Sequence, residues 1–151
     1  MLKAALLEIF ERDLNKLKDE INLYKDEESL WTITGEVSNS GGNLCLHLIG
    51  NLNHFIGALL SNSGFVRERE SEFSSKNVSR EELSENIEKT IKTVVESLAK
   101  LSDEDFDKDF PIEKHGTAQK IDYMLLHLLT HLNYHLGQIN YHRRLLQTSE
   151  K

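Results

Sequence analysis

Four histidines crowd the C-terminal part of the chain: His127, His131, His135 and His142. Residues four apart on an α-helix are offset by ~40° and rise ~6 Å, so their side chains share one face. His-x-x-x-His on a helix is therefore a two-ligand clip for a transition metal. The clip occurs twice in overlap, as His127/His131 and His131/His135. Two further histidines, His47 and His54, share an earlier apolar-periodic segment. The plain alternative is a set of surface or hydrogen-bonded histidines gathered on long helices. Three histidines spaced by four argue against chance, and their interleaving with core leucines argues against an expression tag.

A helical wheel orders the candidates. With His131 at zero and ~100° per residue, the apolar stripe Ile121, Leu125, Leu128, Leu132, Leu136, Ile139 and Leu146 centres near ~90°. His135 then falls at about 40° and His127 at about −40°. His131 and His135 are closer to the core-facing side, and His127 leans toward solvent. One helix seldom closes a metal site alone. His47 flanks the apolar face of its own helix as His131 does, which makes it the best third ligand. Joining those flanks gives a three-His site with open positions, the arrangement of a catalytic rather than a structural metal.

Other helical metal sites fit poorly. Di-iron bundles need Glu-x-x-His pairs, which this chain lacks. Zinc proteases need His-Glu-x-x-His, but Leu128 and Leu132 stand where the glutamate would be. Haem ligation by a His pair has no attachment motif to accompany it. Cys45 lies about 160° from His47 on the wheel, which suits a core residue better than a fourth ligand.

Four segments with helical periodicity must position these groups. The first carries Leu2, Leu6, Phe10, Leu14, Leu17, Ile21 and Tyr24. The second runs from Asn43 to about Leu60, after the turn-rich Ser38-Asn39-Ser40-Gly41-Gly42. The third begins at Ser79, with Glu82 in capping-box position, and reaches Leu101. The fourth is expected from near Thr117 to about Gln147. Trp31 to Val37 alternates weakly but has no strand partner, and no convincing strand appears elsewhere. Ser102 to Phe106 reads as a short helical turn. The expectation is an all-α four-helix bundle in one domain, residues 1–151, with long first and second connections.

Length and composition agree. A chain of 151 residues with 38% hydrophobic and 28% charged residues suits one soluble domain with a sizeable core. One cysteine closes no intrachain disulfide, and one proline leaves room for long helices. A net charge of −7 argues against nucleic acid as a partner. No stretch approaches the ~20 apolar residues of a membrane span. Charges at Lys3, Glu8, Glu11, Arg12 and Asp13 interrupt the N-terminal apolar pattern, unlike a signal peptide. A cytoplasmic location is the expectation.

At the histidines the sequence resembles the DinB-like (damage-inducible) four-helix-bundle superfamily. The most specific stretch is His131-Leu132-Asn133-Tyr134-His135-Leu136-Gly137-Gln138-Ile139, which is similar to a family pattern His-x-x-x-His-Arg-Gly-Gln-Ile. The segment Asn39 to Leu52 and the run Gly64 to Phe73 resemble a subfamily of small uncharacterised proteins. The resemblance implies metal ligation by His47, His131 and His135, binding of nickel or zinc, and a homodimer. It also implies relatedness to thiol transferases that use low-molecular-weight thiols. One departure is Leu136, where the family commonly has arginine.

His54, His127 and His142 are candidates to support the ligands or touch substrate, with ordinary partly buried histidines as the alternative for His54 and His142. Arg67 and Arg69 could fold over the bundle mouth and bind an anionic substrate. Their alternative is a solvated charge run paired locally with Glu68, Glu70 and Glu72. His115 carries no signal. No catalytic base stands out, so a metal-bound thiolate suits the pattern better than hydrolysis. A non-catalytic metal- or ligand-binding dimeric bundle, such as a sensor or stress-response scaffold, is the other reading.

Overall fold

The computed structural model describes residues 1–114 and 116–147. His115 lies outside them. Helix α1 (Leu2–Leu23) buries Leu6, Phe10, Leu14, Leu17 and Ile21, the stripe expected from the sequence. Each such fully buried side chain contributes roughly 1.5–3 kcal/mol of transfer free energy. A 3-10 turn (Glu28–Trp31) follows, and Trp31 is buried against the start of α2 (Gly41–Leu52). The close approach requires a glycine: a Cβ on Gly42 would stand 2.8 Å from the Trp31 ring. The weakly alternating stretch after Trp31 forms no strand.

The hydroxyl of Ser40 caps α2 by accepting the Asn43 backbone N–H at 3.2 Å. The helix starts two residues before the expected Asn43. It then widens into π-helical turns over Asn53–Leu60. The second connection contains a short helix, α3 (Arg69–Ser74). Helix α4 (Arg80–Ala99) is capped by Ser79, whose hydroxyl accepts the Glu82 N–H at 3.1 Å. The expected turn after it is a 3-10 helix, Asp103–Asp107.

An antiparallel hairpin then intervenes, β1 (Asp109–Lys114) with β2 (Thr117–Lys120). This corrects two expectations. Strands are present, and the last helix, α5, runs Ile121–Gln147 rather than from Thr117. Asp109 pairs with Lys120 by backbone register and by a 2.7 Å ion pair, which holds Thr117–Lys120 extended. The Ile121 N–H donates to the Lys108 carbonyl at 2.9 Å, fixing where the helix begins.

The four long helices form the expected all-α bundle, with α1 against α4 and α5, and α2 against α5 and α4. Polar ties set the rotation of α5 on α1. The buried carboxylate of Asp13 accepts from Asn133 at 2.7 Å and from Arg12 at 2.8 Å. Glu20 accepts from Asn140 at 2.7 Å and Arg143 at 2.8 Å. With Asn133, Asn140 and Arg143 turned to α1, the opposite flank of the α5 apolar stripe, carrying His131 and His135, is presented to α2. Among the described residues no helix is long and apolar enough to cross a membrane.

Candidate metal centre

His47 on α2 and His131 and His135 on α5 come together. The Nε2 atoms of His47 and His131 are 3.1 Å apart, as are those of His135 and His131. The rings meet edge-on, with centroids 4.5 to 5.2 Å apart. Among the described residues this is the group of histidine, cysteine and acidic side chains whose ligand atoms converge enough to hold an ion.

The tautomers follow from the groups behind the rings. His47 Nδ1–H donates to Glu72 Oε1 at 3.0 Å, because a carboxylate only accepts. His47 Nε2 is then a bare lone pair. His135 Nδ1–H donates to the Gln138 side-chain oxygen at 2.7 Å, which bares its Nε2 as well. Burial also holds the His47 pKa below the ordinary imidazole value, against the pull of Glu72. Neutral rings with inward lone pairs are what a divalent metal needs.

Spacing fits too. Nitrogens ~2.0–2.1 Å from one ion stand about 3.4 Å apart in a tetrahedron and about 2.9 Å apart at right angles. The observed 3.1 Å lies between them.

Glu72 is the site residue that sequence reasoning missed. It sits on α3, is 6% exposed, and forms a two-pronged pair with Arg67, at 2.8 Å to Nε and 2.9 Å to Nη2. Carboxylate–histidine pairs of this kind orient metal ligands and raise their basicity. No spacing rule links residue 72 to residue 47, since a connection rather than a helix joins them. The nearest sequence signal is glycine. A Cβ on Gly50 would collide with the Glu72 carboxylate.

The remaining candidates separate. Arg67 does not reach over the mouth as a free cation. Its pairing with Glu72 is the local kind considered from sequence, but it is largely enclosed rather than solvated. Arg69 is exposed, with its guanidinium 5.4 Å from the centre of the Phe73 ring. His127 is half-buried and lines a cavity of about 290 Å³ beside the cluster, outside the converging set. His54 packs edge-on to Phe55 in the π-helical stretch, and burial lowers its pKa.

His142 has a structural place instead. Its Nε2–H donates to the Thr32 carbonyl at 2.8 Å, and its Nδ1 meets the Tyr24 hydroxyl at 2.7 Å. It ties α5 to the first connection, and burial lowers its pKa. Cys45 is fully buried in the core, and burial raises its thiol pKa.

Residues 4–151 match a family described as a protein of unknown function, DUF1572. The chain belongs to this DUF1572 family. The match spans all three clustered histidines and Glu72. No curated protein matches the DUF1572 chain at a significant level.

Proposed function

We propose that this DUF1572 protein is a DinB-like divalent-metal-binding bundle with His47, His131 and His135 as ligands, acting as a metal-dependent enzyme of thiol transferase or hydrolase type. The convergence of three imidazole Nε2 atoms, with a carboxylate behind one of them, carries the reading. Imidazole donors suit nickel or zinc. Such an ion supplies Lewis acidity that lowers the pKa of a bound water or thiol.

The chain's own groups favour the thiol. Glu72 is committed to His47 Nδ1 and to Arg67, so it is not placed as a base for water. A thiolate needs no such base once formed. His47 and His131 line the cavity of about 290 Å³, which gives a small substrate access to the cluster. The substrate is a small molecule in the cytoplasm, such as a low-molecular-weight thiol, rather than nucleic acid or membrane.

A second reading is a non-catalytic dimeric sensor or scaffold. An exposed stripe on α5, with Tyr123, Tyr134, Tyr141 and Leu145 each more than half exposed, supports a homodimer. Light scattering of the purified chain reads that assembly.

The deciding test is elemental analysis of untagged protein beside His131→Ala. Stoichiometric nickel or zinc in the first, with loss in the second, is expected. Metal retained in His131→Ala overturns the assignment.

A further inference from the structure

A second cavity opens on the other side of the histidine cluster. The first takes its α5 lining from Met124 to His131. The second, of about 550 Å³, takes its α5 lining from Tyr134 to Leu145 and is completed by Leu44 of α2 and by the first connection. His135 lines it, so the cluster stands between the two cavities along the helix. Its volume is that of a small-molecule site, roughly 300–1,000 Å³.

The two cavities differ in chemistry. Arg67 and Arg69 line the first. No lysine or arginine among the described residues lines the second, and its one carboxylate, Glu36, is exposed. An anion would meet a like charge and no cation on this wall. Tyr134 and Tyr141 both line it and are 66% and 64% exposed, beside Val37 and Leu44. Exposed aromatic and aliphatic side chains gathered at a concavity mark a binding surface.

Gln138 adds a placed donor. Its Oε1 accepts the His135 Nδ1–H at 2.7 Å, which fixes the end of the amide that carries oxygen. Its NH2 group keeps two N–H donors with no acceptor among the described residues. The side chain is exposed and lines the second cavity. A molecule that accepts from this NH2 is joined through one amide to a histidine of the cluster.

We infer that the second cavity binds a neutral aromatic molecule bearing a carbonyl oxygen, with its ring against Tyr134 and Tyr141 and its oxygen accepting from Gln138. Aromatic rings pair favourably with tyrosine in offset or edge-on contact. An uncharged body avoids repulsion by Glu36 and needs no cation. The recess and the placed donor favour a small molecule over a second copy of the chain on these rings. On the thiol-transferase reading this is the place of the second substrate, with the thiol reaching the cluster through the first cavity. Only that role rests on the reading; the binding itself needs no metal.

The test titrates benzamide into the isotope-labelled full chain, as apoprotein and with zinc, and follows amide proton–nitrogen spectra. The Gln138 side-chain NH2 and the α5 amides from Tyr134 to Leu145 are expected to shift, and those of Asn51 and Arg69 to stay. In apoprotein, cyclohexanecarboxamide, with the same amide but no aromatic ring, is expected to bind about fivefold more weakly. Benzoate is expected to bind more weakly than benzamide there. Gln138→Leu and Tyr141→Ala, both exposed changes, are each expected to weaken benzamide about fivefold.

No saturable shift with benzamide overturns the inference. So do equal affinity for benzamide and cyclohexanecarboxamide, tighter binding of benzoate, shifts confined to the first cavity, or unchanged affinity in both variants. A dimer by light scattering whose formation shifts the same α5 amides and shuts out benzamide also overturns it, and gives the rings to a second copy. Zinc that fails to bind strikes the metal reading alone, since the comparison in apoprotein stands without it.

Discussion

Glu72→Gln isolates the contribution of one negative charge to the candidate centre. The amide has the carboxylate's shape but one acceptor oxygen and one NH2. In the native site Oε1 accepts from His47 Nδ1–H at 3.0 Å and from Arg67 Nη2 at 2.9 Å, while Oε2 accepts from Arg67 Nε at 2.8 Å. With the amide oxygen left toward His47, the NH2 faces the Arg67 Nε–H, donor against donor. With the amide flipped, the NH2 faces His47 and drives it to the tautomer with a proton on Nε2, which closes one lone pair of the cluster. Either orientation loses a partner. Loss of such a carboxylate typically lowers metal affinity 10- to 100-fold, or about 1.4–2.7 kcal/mol. The Arg67 side chain is only 12% exposed, so the unpaired guanidinium adds a stability loss of about 3 kcal/mol, the lower end for a broken buried pair. Competition with a chromogenic chelator reads the first number, and urea unfolding of the apoprotein reads the second. Zinc affinity within twofold of wild type would refute the role given to Glu72.

Gly50→Ala should act on the same group from the opposite side. The new methyl displaces the Glu72 carboxylate, so metal affinity falls about tenfold in the same competition assay while the three ligands remain. Burial lowers the pKa of His142, His47 and His54, so the unfolded chain binds more protons below the ordinary imidazole value near 6.5. Apoprotein stability is therefore intact above that pH and declines as pH falls through it toward the folded values. Melting curves across the range show the decline, and His142→Gln reduces its slope. Saturating zinc at about 100 times its dissociation constant should stabilise the fold by about 2.7 kcal/mol, seen as a raised melting temperature absent in His131→Ala.

The helices and the histidine cluster were legible because both follow one period. Leu6, Phe10, Leu14 and Leu17 announce α1, and the same period places His131 and His135 on one face. The hairpin was hidden because its strands are short, Pro111 interrupts one of them, and β2 shows no alternation of burial. The π-helical widening after Leu52 leaves no mark in an apolar pattern already dense on several faces. Glu72 was legible only as a member of a charge run, because its partners His47 and Arg67 are chosen by how the second connection folds. The carboxylate is known by its three-dimensional neighbours, and the clustered histidines by their sequence spacing.

That division has an evolutionary side. The three clustered histidines stand on long helices whose faces are locked by the shared core. The carboxylate that tunes them stands on a six-residue helix within an otherwise irregular connection. Arg69, at the edge of the cavity, belongs to the same short helix. Replacing that one loop would alter both ligand basicity and the charge offered to an incoming molecule, without repacking a single core leucine. The bundle is thus a fixed socket with an exchangeable insert, and relatives can diverge in chemistry while keeping the socket unchanged.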